Sequence, residues 1–170
     1  IQRGEYRETV CLRGNHEALV LDFLQNPAAL DDWQHLGGLE TLMSYGLQPV
    51  IHPSRQQQME LCASFNRMLP RSHRDFLQKL RDSYACGDYF FVHAGVRPGI
   101  PLAKQHENDL LWIRNDFLEH DGPFEKFVVH GHTPVIAPEI LTNRINIDTG
   151  AYATGKLTCL AFEGDHVRSI

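Results

Sequence analysis

The sequence has 170 residues, with 16 Lys+Arg against 21 Asp+Glu for a formal charge of −5, 42% hydrophobic residues and 22% charged ones. A chain of this size makes one ordinary domain that can bury a core without disulfides or a structural metal. The acidic balance and the lack of a Lys/Arg-rich run exclude a nucleic-acid binder held mainly by phosphate contacts, and no apolar stretch approaches the ~18 residues of a membrane span.

The four cysteines, Cys11, Cys62, Cys86 and Cys159, are far apart and form no C-x-x-C pair. They read as buried, reduced thiols of a cytoplasmic protein. Ten histidines are the compositional outlier, and histidine serves both as metal ligand and as acid/base near neutral pH. The sequence opens on Ile1 without signal-peptide grammar and reads as a piece of a longer chain.

Taken in order, Thr9-Val10-Cys11-Leu12 is a β-prone run that delivers the polar turn Arg13-Gly14-Asn15-His16-Glu17, after which a helix is expected over 18–24. From Pro27 to about Arg81 the pattern is helical. Leu36, Leu39, Leu42 and Met43 recur at helical spacing, and a helix over 55–68 starts at a Ser54 N-cap and stops before Pro70. Ser72-His73-Arg74-Asp75 reads as the N-terminus of a third helix. Strands follow: a hairpin of 84–86 and 89–92 around Gly87-Asp88, then 127–129, 145–147 and 157–162. A Glu163-Gly164-Asp165 turn and a closing strand over 166–168 complete the order. The pattern predicts a single α/β domain over 1–170 with mixed sheets and a helical insert at about 27–81.

Three apolar strands end in short polar turns that place His or Asn next to Gly: at Gly14-Asn15-His16, His93-Ala94-Gly95 and His130-Gly131-His132. Ligands of α/β folds collect at the carboxyl ends of strands. If the three strands are parallel neighbours, Asn15, His16, His93 and His132 converge in a metal-site arrangement of imidazole nitrogens and an amide oxygen. A lone strand-end histidine is more often structural; the coincidence of three such ends is what raises the site. At most one of His130 and His132 is expected to face it directly. His35, His52, His73, His106, His120 and His166 are expected in solvated positions.

Leu12-Arg13-Gly14-Asn15-His16-Glu17, followed by Val92-His93-Ala94-Gly95 and Val129-His130-Gly131-His132-Thr133, resembles the second half of the signature of the phosphoprotein-phosphatase branch of the calcineurin-like metallophosphoesterases. It is most similar to the bacterial serine/threonine phosphatases of that branch. The resemblance extends through Leu111-Trp112-Ile113-Arg114 and Ile147-Asp148-Thr149-Gly150-Ala151. It implies an α/β sandwich of two mixed sheets flanked by helices, here N-terminally truncated. It also implies a two-metal centre, Mn²⁺ foremost with Fe or Zn²⁺ as alternatives, in which Asn15, His93 and His132 bind the second ion. His16 is then the acid that protonates the leaving group, and Arg114 the clamp on phosphate oxygens, a role suited to its planar fork. A bridging water activated by two divalent ions is the nucleophile of such centres.

The family's upstream Asp-x-His and Gly-Asp-x-x-Asp-Arg-Gly segments, which supply the first metal's ligands, do not occur in the sequence. The fragment is therefore expected to be inactive alone. Without the resemblance, Trp112 would read as a core aromatic, Arg114 as a surface cation and Glu17 as a helix N-terminal acid. The function implied is hydrolysis of phosphomonoesters, with phosphoserine and phosphothreonine in proteins as substrates. A dinucleoside polyphosphate hydrolase of the same superfamily and a non-catalytic binding fragment are the alternatives. Arg13 and Glu17 favour the protein-phosphatase form. Partners are a phosphoprotein or small phosphoester, with neither nucleic acid nor membrane.

Overall fold

The computed structural model describes residues 8–164 and 166–170. The chain divides into two compact units, Asn15–Leu80 and a second in which the segment ending at Gly14 joins Arg81–Ile170.

The Asn15–Leu80 unit is helical. Helix α1 is Asn15–Phe23, α2 Leu30–Trp33, α3 Gly38–Ser44, α4 Arg55–Met68 and α5 Arg71–Lys79. α4 has the bounds its local signals predict, because both ends are decided within a few residues. Ser54 accepts from the Gln57 amide and the Gln57 side chain returns to the Ser54 amide, completing a capping box. At the other end Leu69 turns extended ahead of Pro70. Two expectations shift. α1 begins at Asn15, three residues before its expected start, so the polar turn forms its first turn with Glu17 as the acid favoured there. α5 begins directly after Pro70, whose carbonyl accepts from the His73 and Arg74 amides, and no side chain caps it; Ser72 lies inside the helix.

The core of this unit packs Phe23, Leu30, Trp33, Leu42, Cys62 and Phe65. Phe23 and Trp33 have ring centroids 5.3 Å apart, and Tyr45 meets Phe65 edge-on at 5.3 Å. Burying each such aromatic contributes about 1.5–3 kcal/mol. The Cys62 thiol donates to the Phe23 carbonyl at 3.1 Å, and burial pushes its pKa up. Cys62 is buried as expected, but Cys11, Cys86 and Cys159 are exposed, because these three sit on short or edge segments.

The second unit is built on strands β1 (Ser83–Cys86), β2 (Tyr89–Val92), β3 (Phe127–His130), β4 (Glu139–Ile140), β5 (Arg144–Asn146), β6 (Leu160–Glu163) and β7 (His166–Ser169). Its helices are α6 (Glu107–Trp112), α7 (Asn115–Leu118) and α8 (Ala151–Thr154). Five strands form a mixed sheet in the order β1-β2-β3-β5-β4, and β6 and β7 form a separate antiparallel pair. β2, β3 and β5 are parallel, while the outer strands pair antiparallel. Phe90, Val92 and Val128 pack with Leu110, Ile113 and Phe117 into one core cluster. The architecture is the expected α/β class with two sheets and flanking helices.

The β-prone run before Gly14 is corrected by the structure. Among the described residues Leu12 makes a single parallel bridge, to Arg81, and the backbone pairing there runs through Cys11, Arg13 and Arg81. β5 is the third parallel strand in its place. The turn expected at Glu163-Gly164-Asp165 includes Asp165, which lies outside the described residues. No helix among the described residues is long and apolar enough to cross a membrane.

Candidate active site at the carboxyl ends of the parallel strands

The backbone of β2 and β3 sets the site. In the parallel register Phe91 pairs with Val129, and beyond the ladder the Gly131 amide donates to the His93 carbonyl at 2.9 Å. The two strand ends therefore advance together and deliver His93 and His132 to one place. Their ring nitrogens, His93 Nε2 and His132 Nδ1, are 3.0 Å apart. The edge of Trp112 meets the His132 ring, with centroids 5.9 Å apart at 85°. Arg114 is exposed and donates through Nη1 to the Thr133 hydroxyl at 3.0 Å. His93, His132 and Arg114 are thus brought to one end of the sheet. A cavity of about 340 Å³ opens there, lined by Leu12, His93, His132, Asp148 and Lys156 among others.

A small residue is needed at one of the two turns: a Cβ on Gly95 would overlap the Phe117 ring at 2.3 Å, whereas one on Gly131 would make ordinary contact with the Asp148 Cβ at 3.4 Å. Gly95 therefore lets the turn after β2 lie directly on the core.

His130 and His132 part company because β3 ends at His130 and His132 turns out of it at φ 65°; alternation alone would put residues two apart on one face. His130 is 1% exposed and stands edge-on to Phe117, with centroids 4.8 Å apart. Burial lowers its pKa to about 4, with a further push from the Arg144 guanidinium, so the ring is neutral at physiological pH. Among the other histidines, His35, His52, His73, His106 and His166 are exposed and His120 is half-buried against Phe124.

Asn15 and His16 belong to the helical unit. Asn15 is buried at the start of α1 and His16 is exposed beside it. Arg13 lies in the sheet unit, where its guanidinium is held by Asp82 and by Glu107 at 2.8 Å. These two carboxylates account for the placement of the Arg13 side chain.

Nitrogens 3.0 Å apart have the separation of two ligands about 2.0–2.1 Å from one ion at roughly a right angle. His93 and His132 thus fit as part of a metal's ligand set. Among the described residues no group of three or more His, Cys, Asp or Glu side chains is disposed to hold an ion.

Sequence reading missed how β5 serves this site. Asn146, 1% exposed, donates to the Thr133 carbonyl at 2.8 Å, and buried Arg144 reaches His130. A polar side chain between Ile145 and Ile147 was the available signal.

No protein-family model matches the chain. In the solved structures, the crystal structure of a candidate diadenosine tetraphosphatase superposes with a TM-score of 0.58 at 16% identity, covering 95% of this chain and 68% of that one. That likeness shows the fold. Relatives include the bis(5'-nucleosyl)-tetraphosphatase PrpE [asymmetrical] of Halalkalibacterium halodurans, 25% identical over 150 residues, which are 76% of this chain and 58% of the relative. The proteins of the same name from Oceanobacillus iheyensis and Bacillus mycoides are 42% identical over 50 residues and 45% over 51, each match covering 29% of this chain and 20% of the relative. The chain thus spans between a fifth and about three fifths of the length of these relatives. The likeness in structure is to the metallophosphoesterase fold. The relatives carry the name of nucleotide hydrolases, the alternative to the expected protein phosphatase.

Proposed function

We propose that this chain is part of a hydrolase that splits dinucleoside tetraphosphates unequally, with His93 and His132 in its metal site. The observation that carries the reading is the 150-residue match to the Halalkalibacterium halodurans bis(5'-nucleosyl)-tetraphosphatase, which runs through 76% of the chain. The names of the relatives favour this reading over the phosphoserine/phosphothreonine hydrolase that the motif resemblance implied.

The roles proposed for individual residues follow from their chemistry. Asn15, His93 and His132 offer one amide oxygen and two imidazoles, donors that suit Mn²⁺, Fe or Zn²⁺. Bound divalent ions would supply Lewis acidity and a water of lowered pKa. Arg114, on Thr133 next to His132, meets phosphate oxygens with two parallel N–H donors and neutralises charge that builds in the transition state. A water oxygen bonds to phosphorus as the bridging P–O bond breaks, and the electron pair leaves on the departing phosphate. His16 is the group proposed to protonate it. A nucleotide phosphate is a far weaker base than a serine alkoxide, because its last proton has a pKa near 6. The demand on His16 is accordingly smaller for the dinucleotide than for a phosphomonoester.

The test compares diadenosine tetraphosphate with a phosphoserine peptide, using the full-length protein loaded with Mn²⁺. The expected result is turnover of the dinucleotide at least tenfold above the peptide, with unequal nucleotide products. The reverse preference returns the site to a protein phosphatase, and hydrolysis of neither favours the binding fragment. His16→Asn is expected to lower turnover while Mn²⁺ content, measured by metal analysis, is kept.

A further inference from the structure

His132 has φ 65°, a left-handed conformation. A residue with a Cβ holds such a conformation at a cost on the order of 1–3 kcal/mol, and only where its surroundings over-determine it. The turn is closed locally by the Thr133 amide, which donates to the Gly131 carbonyl at 2.8 Å, and is held from outside by β5. Arg144 and Asn146 are two apart on that strand and so share a face. Asn146 donates to the carbonyl of Thr133, just after His132, at 2.8 Å, and its own oxygen accepts from the Asp148 amide at 3.0 Å.

Arg144 acts on the other side of His132. Its Nη1 stands 3.3 Å from His130 Nε2. A guanidinium has no acceptor, so His130 Nε2 is the bare nitrogen and its proton is on Nδ1. That N–H donates to the carbonyl of Gly131, just before His132, at 3.1 Å. Arg144 is itself held by Glu139 at 3.0 Å and by the Leu118 carbonyl at 3.0 Å.

We propose that Asn146 and Arg144 are positioning residues that grip the two carbonyls flanking His132, directly at Thr133 and through His130 at Gly131, and so hold its imidazole against His93. The functional part of this proposal rests on the reading of His132 as a metal ligand; the structural part does not. Partners of this kind around a ligating histidine are worth roughly 10–100-fold in metal affinity or activity.

The experiment is long-range ¹H–¹⁵N spectroscopy of the histidine rings in metal-free protein, followed by Mn²⁺ titration read by line broadening. Wild type is expected to show His130 as the Nδ1–H tautomer; the Nε2–H tautomer overturns the Arg144 arm. Asn146→Leu is expected to move the His132 ring signals and to weaken Mn²⁺ binding about tenfold or more. Unmoved His132 signals, or wild-type Mn²⁺ affinity in a folded Asn146→Leu protein, overturn the proposal. Should that variant not fold, His130→Phe and His130→Asn decide. Phe removes the donor to Gly131 and is expected to move the His132 signals, whereas Asn keeps a donor near the Nδ1 position and is expected to restore them; identical spectra for the two overturn it. No Mn²⁺ broadening of His93 or His132 in wild type sinks the metal reading of the site and leaves the ring spectra to judge the positioning.

Discussion

The two units bury different things. The interior of Asn15–Leu80 is a cluster of apolar and aromatic side chains, Phe23, Trp33 and Phe65 among them. The sheet unit buries more polar and charged side chains, Asp109, His130, Asn143, Arg144, Asn146 and Thr149, against Asn15 and Gln58 in the helical unit. Apolar packing is non-directional and tolerant of exchange. A buried polar group is costly unless its partners are placed correctly, and it specifies geometry in return. The first interior suits a scaffold, and the second suits a strand end where two histidines must meet within a hydrogen bond's length.

The contrast can be broken at its strongest point by Phe65→Ala. Truncating this fully buried ring is expected to cost about 3–5 kcal/mol, measured as lost hydrogen-exchange protection across α4 and its neighbours; a cost below about 1 kcal/mol would mean the aromatic cluster is not the scaffold's core. In the sheet unit Gly95→Ala is expected to destabilise by about 1–3 kcal/mol through overlap with Phe117. Denaturant melts should show it, and a neutral result would show that the turn after β2 can move away. Ser54→Ala sharpens the local side of the comparison: loss of the cap on α4 should cost about 1 kcal/mol, and Ser54→Asp should recover it.

The smallest effect is one of pH. Asp109 is held below the usual carboxylate range by hydrogen bonds from the Arg97 guanidinium. A carboxylate depressed in the folded state adds stability that is present above its unfolded pKa and is lost as pH falls through the folded value. Acid titration of the melt should therefore show a fall in stability below about pH 4, and Asp109→Asn should flatten that limb. An unchanged limb would assign the acid sensitivity elsewhere.

Legibility followed the range of the signal. The bounds of α4 were readable because Ser54, Gln57 and Pro70 act within a few residues. The hairpin was readable because Gly87 takes the positive φ that its turn needs. His93 and His132 were legible as strand-end residues, but their meeting depends on the parallel pairing of β2 with β3, which no local pattern encodes. The β-prone run before Gly14 was misread for the same reason, since propensity cannot supply a strand with a partner.

By itself the sequence determined the α/β class, the helical block and the residue types that could bind metal and phosphate. Only the tertiary structure decided that β5 stands beside β3, that Arg13 answers to Asp82 and Glu107, and that Arg144 and Asn146 lie under the His132 turn. Hydrophobic period and caps are written in neighbouring residues. The partner of a buried polar group is written only in the fold, because the group's cost is met by atoms that arrive from other strands.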